Sequence, residues 1–156
     1  MEESVGESWE DCFDKLWSVK LTETSCPFCR NSEEDSAHLF LHCDRIQPIW
    51  WKTISWLNLK GAVPFTPKQH FLQHIDVQAD GVRMQRWQCW WLALTWSTWK
   101  LRNNIVFSNA TFNANKLFED AIFTLWTWLR HFEKDFTIHF NQWSSSIRHS
   151  FCISRG

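Results

Sequence analysis

The sequence predicts a mainly α-helical protein: a small CCHC zinc knuckle followed by a Trp-rich helical bundle. Two observations carry that expectation. Four metal-ligand residues crowd into residues 26–43, and two long stretches, 82–107 and 113–132, repeat large apolar side chains at helical spacing. The chain has 156 residues, enough for one domain or for a metal module attached to one modest helical domain.

Residues 1–25 are expected as an acidic N-terminal segment. Trp9, Phe13, Leu16 and Trp17 recur at helical spacing and predict an amphipathic helix over about 7–19. Residues 26–60 hold the knuckle and the helix after it, where Pro48 suits a first turn and Trp50, Ile54 and Leu57 follow at i, i+4, i+7. A helical body spans 61–134. Within it, Thr66-Pro67 opens a short helix through about His74. The long helix places Trp87, Trp91, Leu94, Leu101 and Ile105 on one stripe, with Trp90 beside it. Asn113 caps the last strong helix, whose face is Leu117, Ala121, Leu125, Trp128 and Phe132, widened by Phe118, Ile122 and Leu129. The two long helices are expected to pack antiparallel, with both stripes as core. Residues 135–156 read as a poorly ordered tail, with strand-like alternation in FTIHF.

Composition narrows the function. Thirteen Trp and 13 Phe accompany no Tyr, and rings of that size can build a core from few residues. The net charge of −1 is unevenly spread: residues 1–43 carry −7 and the remainder +6. A mildly basic body is compatible with nucleic acid but does not demand it. The start MEESVGESWEDCF has no basic n-region or apolar h-region, so an intracellular, reducing setting is expected, and clustered Cys then read as metal ligands. The charge-free run Trp87–Trp99 is 13 residues, short of the about 20 that span a bilayer.

The segment CPFCRNSEEDSAHLFLHC spaces Cys26, Cys29, His38 and Cys43 as C-x₂-C-x₈-H-x₄-C. A CxxC turn directs two sulfurs at one ion, Pro27 pre-shapes that turn, and the x₈ loop returns the chain to supply two more ligands. Three thiolates and an imidazole make a closed tetrahedral set suited to one structural Zn²⁺. With a dication bound the site stays near −1 amid Glu33, Glu34 and Asp35, so phosphate contacts fall to Arg45 and Lys52, with Trp50 and Trp51 (and Trp56) as base-stacking candidates. His42 is a rival ligand, awkward because Cys43 adjoins it. The acidic run EED reads as a solvated loop, or as an orienting partner for the imidazole.

That string, followed by W-W-K-x-I-x-x-W-L, resembles the reverse transcriptase zinc-binding domain of LINE-type (non-LTR) retrotransposons. WWLALTWSTWKLRNNIVFSN is similar to the family's downstream block, where W, R-N and a following Phe recur, and LFEDAIFTLWTWL to its next helix; the likeness covers roughly residues 14–143. FDKLWSVKL resembles an upstream LW-x-x-K element, without the segment that separates it from the CPxC pair in the family. No paired-Asp polymerase motif is present. The resemblance implies a truncated or degenerate copy, zinc ligation by Cys26, Cys29, His38 and Cys43, and RNA or DNA as the partner.

No Gly-rich phosphate loop, nucleophile elbow or paired-carboxylate pattern occurs, so no catalytic residue is assigned and no small-molecule substrate is expected. HFLQH lacks the Glu of a zincin, and His70 and His74 read as a solvated helix face. Cys89 reads as a small buried hydrophobe, and Cys12 and Cys152 as isolated thiols. The function expected is therefore a non-catalytic zinc-binding module with weak nucleic-acid affinity. The alternatives are a protein-interaction scaffold with structural zinc, or a retroelement remnant without function. Metal removal is expected to loosen residues 24–45 and to leave the long helices largely intact.

Overall fold

The computed structural model describes residues 25–55, 67–72 and 81–147. It is mainly helical, with the Cys/His cluster near its N-terminal end and helices after it. The expected helix at 7–19, Trp56, Leu57, His74, Cys12, Cys152 and the tail beyond 147 lie outside the described residues.

A single π-helical turn at His38–His42 leads into α1 (Gln47–Ile54), which starts with Pro48 in its first turn, where the missing N–H costs nothing. Next come α2 (Pro67–Leu72) and α3 (Gly81–Ser108). The chain leaves α3 through Asn109, whose φ of 57° is a left-handed value that Asn tolerates. α4 (Ala114–Phe132) begins at the expected cap, with the Asn113 side chain accepting from the Lys116 N–H. A connection of five residues forces α3 and α4 antiparallel. Arg86, near the start of α3, closes the far end with a two-pronged ion pair to Glu133 just past α4, at 2.8 and 3.0 Å.

α3 is the central helix. From Cys89 to Thr95 every residue is buried, so its middle is enclosed all round rather than striped. One side presents Trp90 to Phe118 of α4 in an edge contact at 5.9 Å. The other presents Trp87 and Trp91 to Trp50 of α1 and His70 of α2. Thr95 and Thr98 remain inside this helix because their hydroxyls donate to carbonyls in the preceding turn. α4 buries Leu117, Ala121, Ile122, Leu125 and Leu129 as expected. Trp128 is only half-buried and Phe132 is exposed, and Leu129 fills the core side of the last turn. No helix among the described residues is long and apolar enough to cross a membrane.

Three expectations change. Residues 135–147, placed with the poorly ordered tail, bury Phe136, Trp143 and Ile147 and form a short helix, α5 (Phe140–Ser144). FTIHF forms no strand; it runs back along α4, where the Trp126 indole donates to the Ile138 carbonyl at 2.9 Å. His70 is not on a solvated face: it is fully buried, and its Nδ1 accepts from the Trp91 indole at 2.9 Å. That bond assigns the ring proton to Nε2.

Adjacent tryptophans on α1 have opposite fates. Trp50 is fully buried and donates to the Phe40 carbonyl at 2.6 Å, while Trp51 is 59% exposed. Trp50→Phe keeps a ring but leaves that buried carbonyl without its donor, an expected loss of about 1–3 kcal/mol. Trp51→Phe should stay within about 0.5 kcal/mol of the parent. Urea unfolding of both variants checks the contrast, and equal costs would refute this assignment of the two rings.

Candidate metal centre

The knuckle is built by backbone turns before any ligand enters. Ser25 and Glu33 form an antiparallel bridge, and the Cys26 N–H donates to the Ser32 carbonyl, so the loop between them is pinned at its base. Pro27 starts the turn, and the Arg30 N–H returns to the Cys26 carbonyl at 2.8 Å. Arg30 takes a φ of 59°, a left-handed value that costs a non-Gly residue about 1–2 kcal/mol. This conformation lets the Asn31 N–H reach the Cys29 sulfur at 3.4 Å.

The second half of the site depends on the π turn. His38 and Cys43 are five residues apart, which on an α-helix leaves them about 140° apart around the axis. The wider π turn closes between the Cys43 N–H and the His38 carbonyl at 2.8 Å, and Cys43 then turns to extended geometry. Asp35 starts the turn: its carboxylate accepts from the His38 N–H at 2.7 Å, and its carbonyl accepts from the Leu39 N–H. Leu39, Phe40 and Leu41 of this turn are all buried.

The four expected ligands come together. Their ligand atoms all lie within 4.8 Å of one another. The Cys26 and Cys43 sulfurs are 3.8 Å apart, and Cys29 Sγ is 3.3 Å from His38 Nε2. Thiolates and an imidazole around one tetrahedral ion sit roughly 3.5–3.8 Å apart. The group can therefore hold a metal ion with only small side-chain adjustments. Cys26 and Cys43 are fully buried; Cys29 and His38 are partly open. His42 is outside this group.

The acidic run divides. Glu33 and Asp35 are exposed, as expected of a solvated loop, and Asp35 also caps the backbone of the π turn. Glu34 departs from that expectation: it is buried in a two-pronged ion pair with Arg102 of α3, at 2.8 and 2.9 Å. Arg102 also reaches the Asn103 side chain and lies 5.2 Å from the Trp99 ring centroid. Sequence reasoning missed this anchor, although RN stood within the block compared with the family.

The nucleic-acid candidates separate. Trp50 is core, so it offers no face for stacking, a correction to the expected set. Trp51 is exposed; Lys52 rests over the Phe118 ring at 4.1 Å and Arg45 over the Phe112 ring at 5.5 Å, both with charged ends at the surface. Cys89 is a buried hydrophobe as expected, and burial pushes its thiol up to about 12.

Protons matter at the ligand pair. The hydrogen bond from Cys43 holds the Cys26 thiol well below the usual range, at about 5, whereas the same bond and burial push the Cys43 thiol far up. A thiol binds a metal ion as thiolate, so an entering cation must displace the protons still held on its ligands. Metal affinity is expected to fall as pH drops, about tenfold per pH unit for each proton displaced. Chelator competition at pH 6, 7 and 8 measures this, and a pH-independent constant would exclude thiolate ligation.

No protein-family model, curated protein or solved structure gives a significant match to this chain.

Proposed function

We propose that the chain is a non-catalytic zinc module, of the kind that accompanies LINE-type reverse transcriptases, whose helical body contacts RNA or single-stranded DNA weakly. The convergence of three sulfurs and one imidazole nitrogen within 4.8 Å carries the zinc part. Soft thiolates with one imidazole in a closed set favour Zn²⁺ over hard cations, and leave no open position for a reacting water. The sequence resemblance supplies the family. Charge supplies the polarity of the contact: the loaded knuckle stays near −1, with Glu33 and Asp35 exposed beside it, so phosphate is directed to Arg45 and Lys52, with Trp51 beside them.

Purified protein should contain about one Zn²⁺ per chain, and zinc-loaded protein should bind a labelled RNA oligomer with an affinity that falls as salt rises. Absence of salt-dependent binding at low salt would sink the nucleic-acid reading while leaving the zinc site standing. A second reading, a protein-interaction scaffold, draws on Phe123 (53% exposed), Phe132 (39%) and Ile138 (41%) on and after α4. Capture of one specific protein, lost on Phe123→Ser, would favour it.

A further inference from the structure

A second surface lies away from the metal. Between α3, α4 and their connecting loop lies a cavity of about 450 Å³, a size that accepts a small-molecule-sized group. Its floor is apolar, from Leu101 and Leu117, and its rim carries Lys100 and Lys116. The one carboxylate on that rim, Asp120, is already matched by Lys116 at 3.1 Å, so Lys100 sets the net sign. Lys100, Asn104 and Phe107 follow at i, i+4, i+7 on α3 and share one face. Phe107 is 76% exposed, the most exposed large apolar side chain among the described residues. Across the cleft, Phe123 lines the same cavity and is 53% exposed.

We infer that this cleft is a binding site for single-stranded nucleic acid, with Lys100 on a phosphate and Phe107 and Phe123 as stacking faces for unpaired bases. Cations interleaved with exposed rings along a groove are what a single strand requires, because every base has a π-face and every link a charge. A double helix buries its base faces and would leave the two rings unused. Asn104 lines the cavity one turn after Lys100, and an amide there can both donate to and accept from a base edge. A protein partner would gain from the rings but not from an unmatched lysine beside an apolar floor. The inference rests on the nucleic-acid reading above and gives it a second, separate contact surface.

The test uses the full zinc-loaded chain and a fluorescein-labelled 12-nucleotide oligouridylate, read by anisotropy across a salt series. Lys100→Ala should weaken binding about threefold at low salt and reduce the salt slope by ~0.7, the value for one phosphate contact on a single strand. Phe107→Ala should weaken binding about fivefold or more with the salt slope unchanged, since stacking carries no counterion release. Both substituted side chains are surface ones, and circular dichroism verifies unchanged helicity. If the parent binds and these variants bind equally well, the cleft is refuted while the broader reading stands. Should the parent show no binding at all, the broader reading fails and takes the cleft with it. Loss confined to Arg45, Trp51 or Lys52 variants would likewise refute the cleft.

Discussion

Arg102→Ala should destabilise the protein by about 3–5 kcal/mol, the largest single-residue effect expected here. The reason is the partner left behind. The side chain of Glu34 is fully buried and receives both prongs of the guanidinium at 2.8 and 2.9 Å. Without them a carboxylate must stay uncompensated in the interior or the loop must open to water. Opening the loop displaces the chain between Cys29 and His38, so metal affinity should fall together with stability. Arg102→Lys should recover little, because an ammonium cannot satisfy both carboxylate oxygens in the same plane. Replacing both partners with apolar residues, as in Glu34→Leu/Arg102→Met, should be far less damaging than either single change. Chemical denaturation with a double-mutant cycle decides it. An Arg102→Ala variant within about 0.5 kcal/mol of the parent would show that the pair is not an anchor.

The second large effect concerns the metal ligands. Cys26→Ser or Cys43→Ser should abolish stoichiometric zinc, and chelation of the parent should act beyond residues 24–45. Cys26, Phe28, Leu39, Phe40, Leu41 and Cys43 belong to the same buried cluster as Trp50 and the α3 tryptophans. Loss of the ion therefore withdraws the π turn from under Trp50, whose indole is bonded to it, and through Trp50 disturbs His70 and Trp91. The α3–α4 pair has its own contacts, including Trp90 with Phe118, and should stay helical. At free zinc 100-fold above its dissociation constant, the bound state gains about 2.7 kcal/mol over the metal-free one. Amide exchange should show lost protection at residues 38–54 on chelation and partial loss near Trp91. Unchanged protection at 38–50 would mean that the metal contributes nothing to this core, and full zinc retention by both Ser variants would sink the ligand assignment.

Much of this was readable from residue order. The π turn was not, because H-x₄-C shows only that five residues separate the ligands and says nothing of the backbone that reconciles them. Nor was the Glu34–Arg102 anchor, which joins residues 68 positions apart and carries no local signal. Trp50 stands on the stripe with Ile54 and Leu57 and Trp51 does not, but only the packing of α1 against α3 shows that the stripe leaves Trp50 no face for a ligand. His70 looked solvated because helical spacing alone cannot reveal that two other helices enclose it. The Ser-rich stretch SSSIRHS makes the segment from 135 onward read as tail, although Phe136, Trp143 and Ile147 within it are buried.

By itself the sequence determined the helical class, the cap at Asn113, the antiparallel long pair and the Cys/His group that can hold a metal ion, all set by spacing within one segment or between neighbouring ones. The tertiary structure alone decided that the metal loop is bolted to α3 and shares its core. That outcome turns on desolvation: a carboxylate and a guanidinium distant in sequence are stable inside only when the fold brings them face to face.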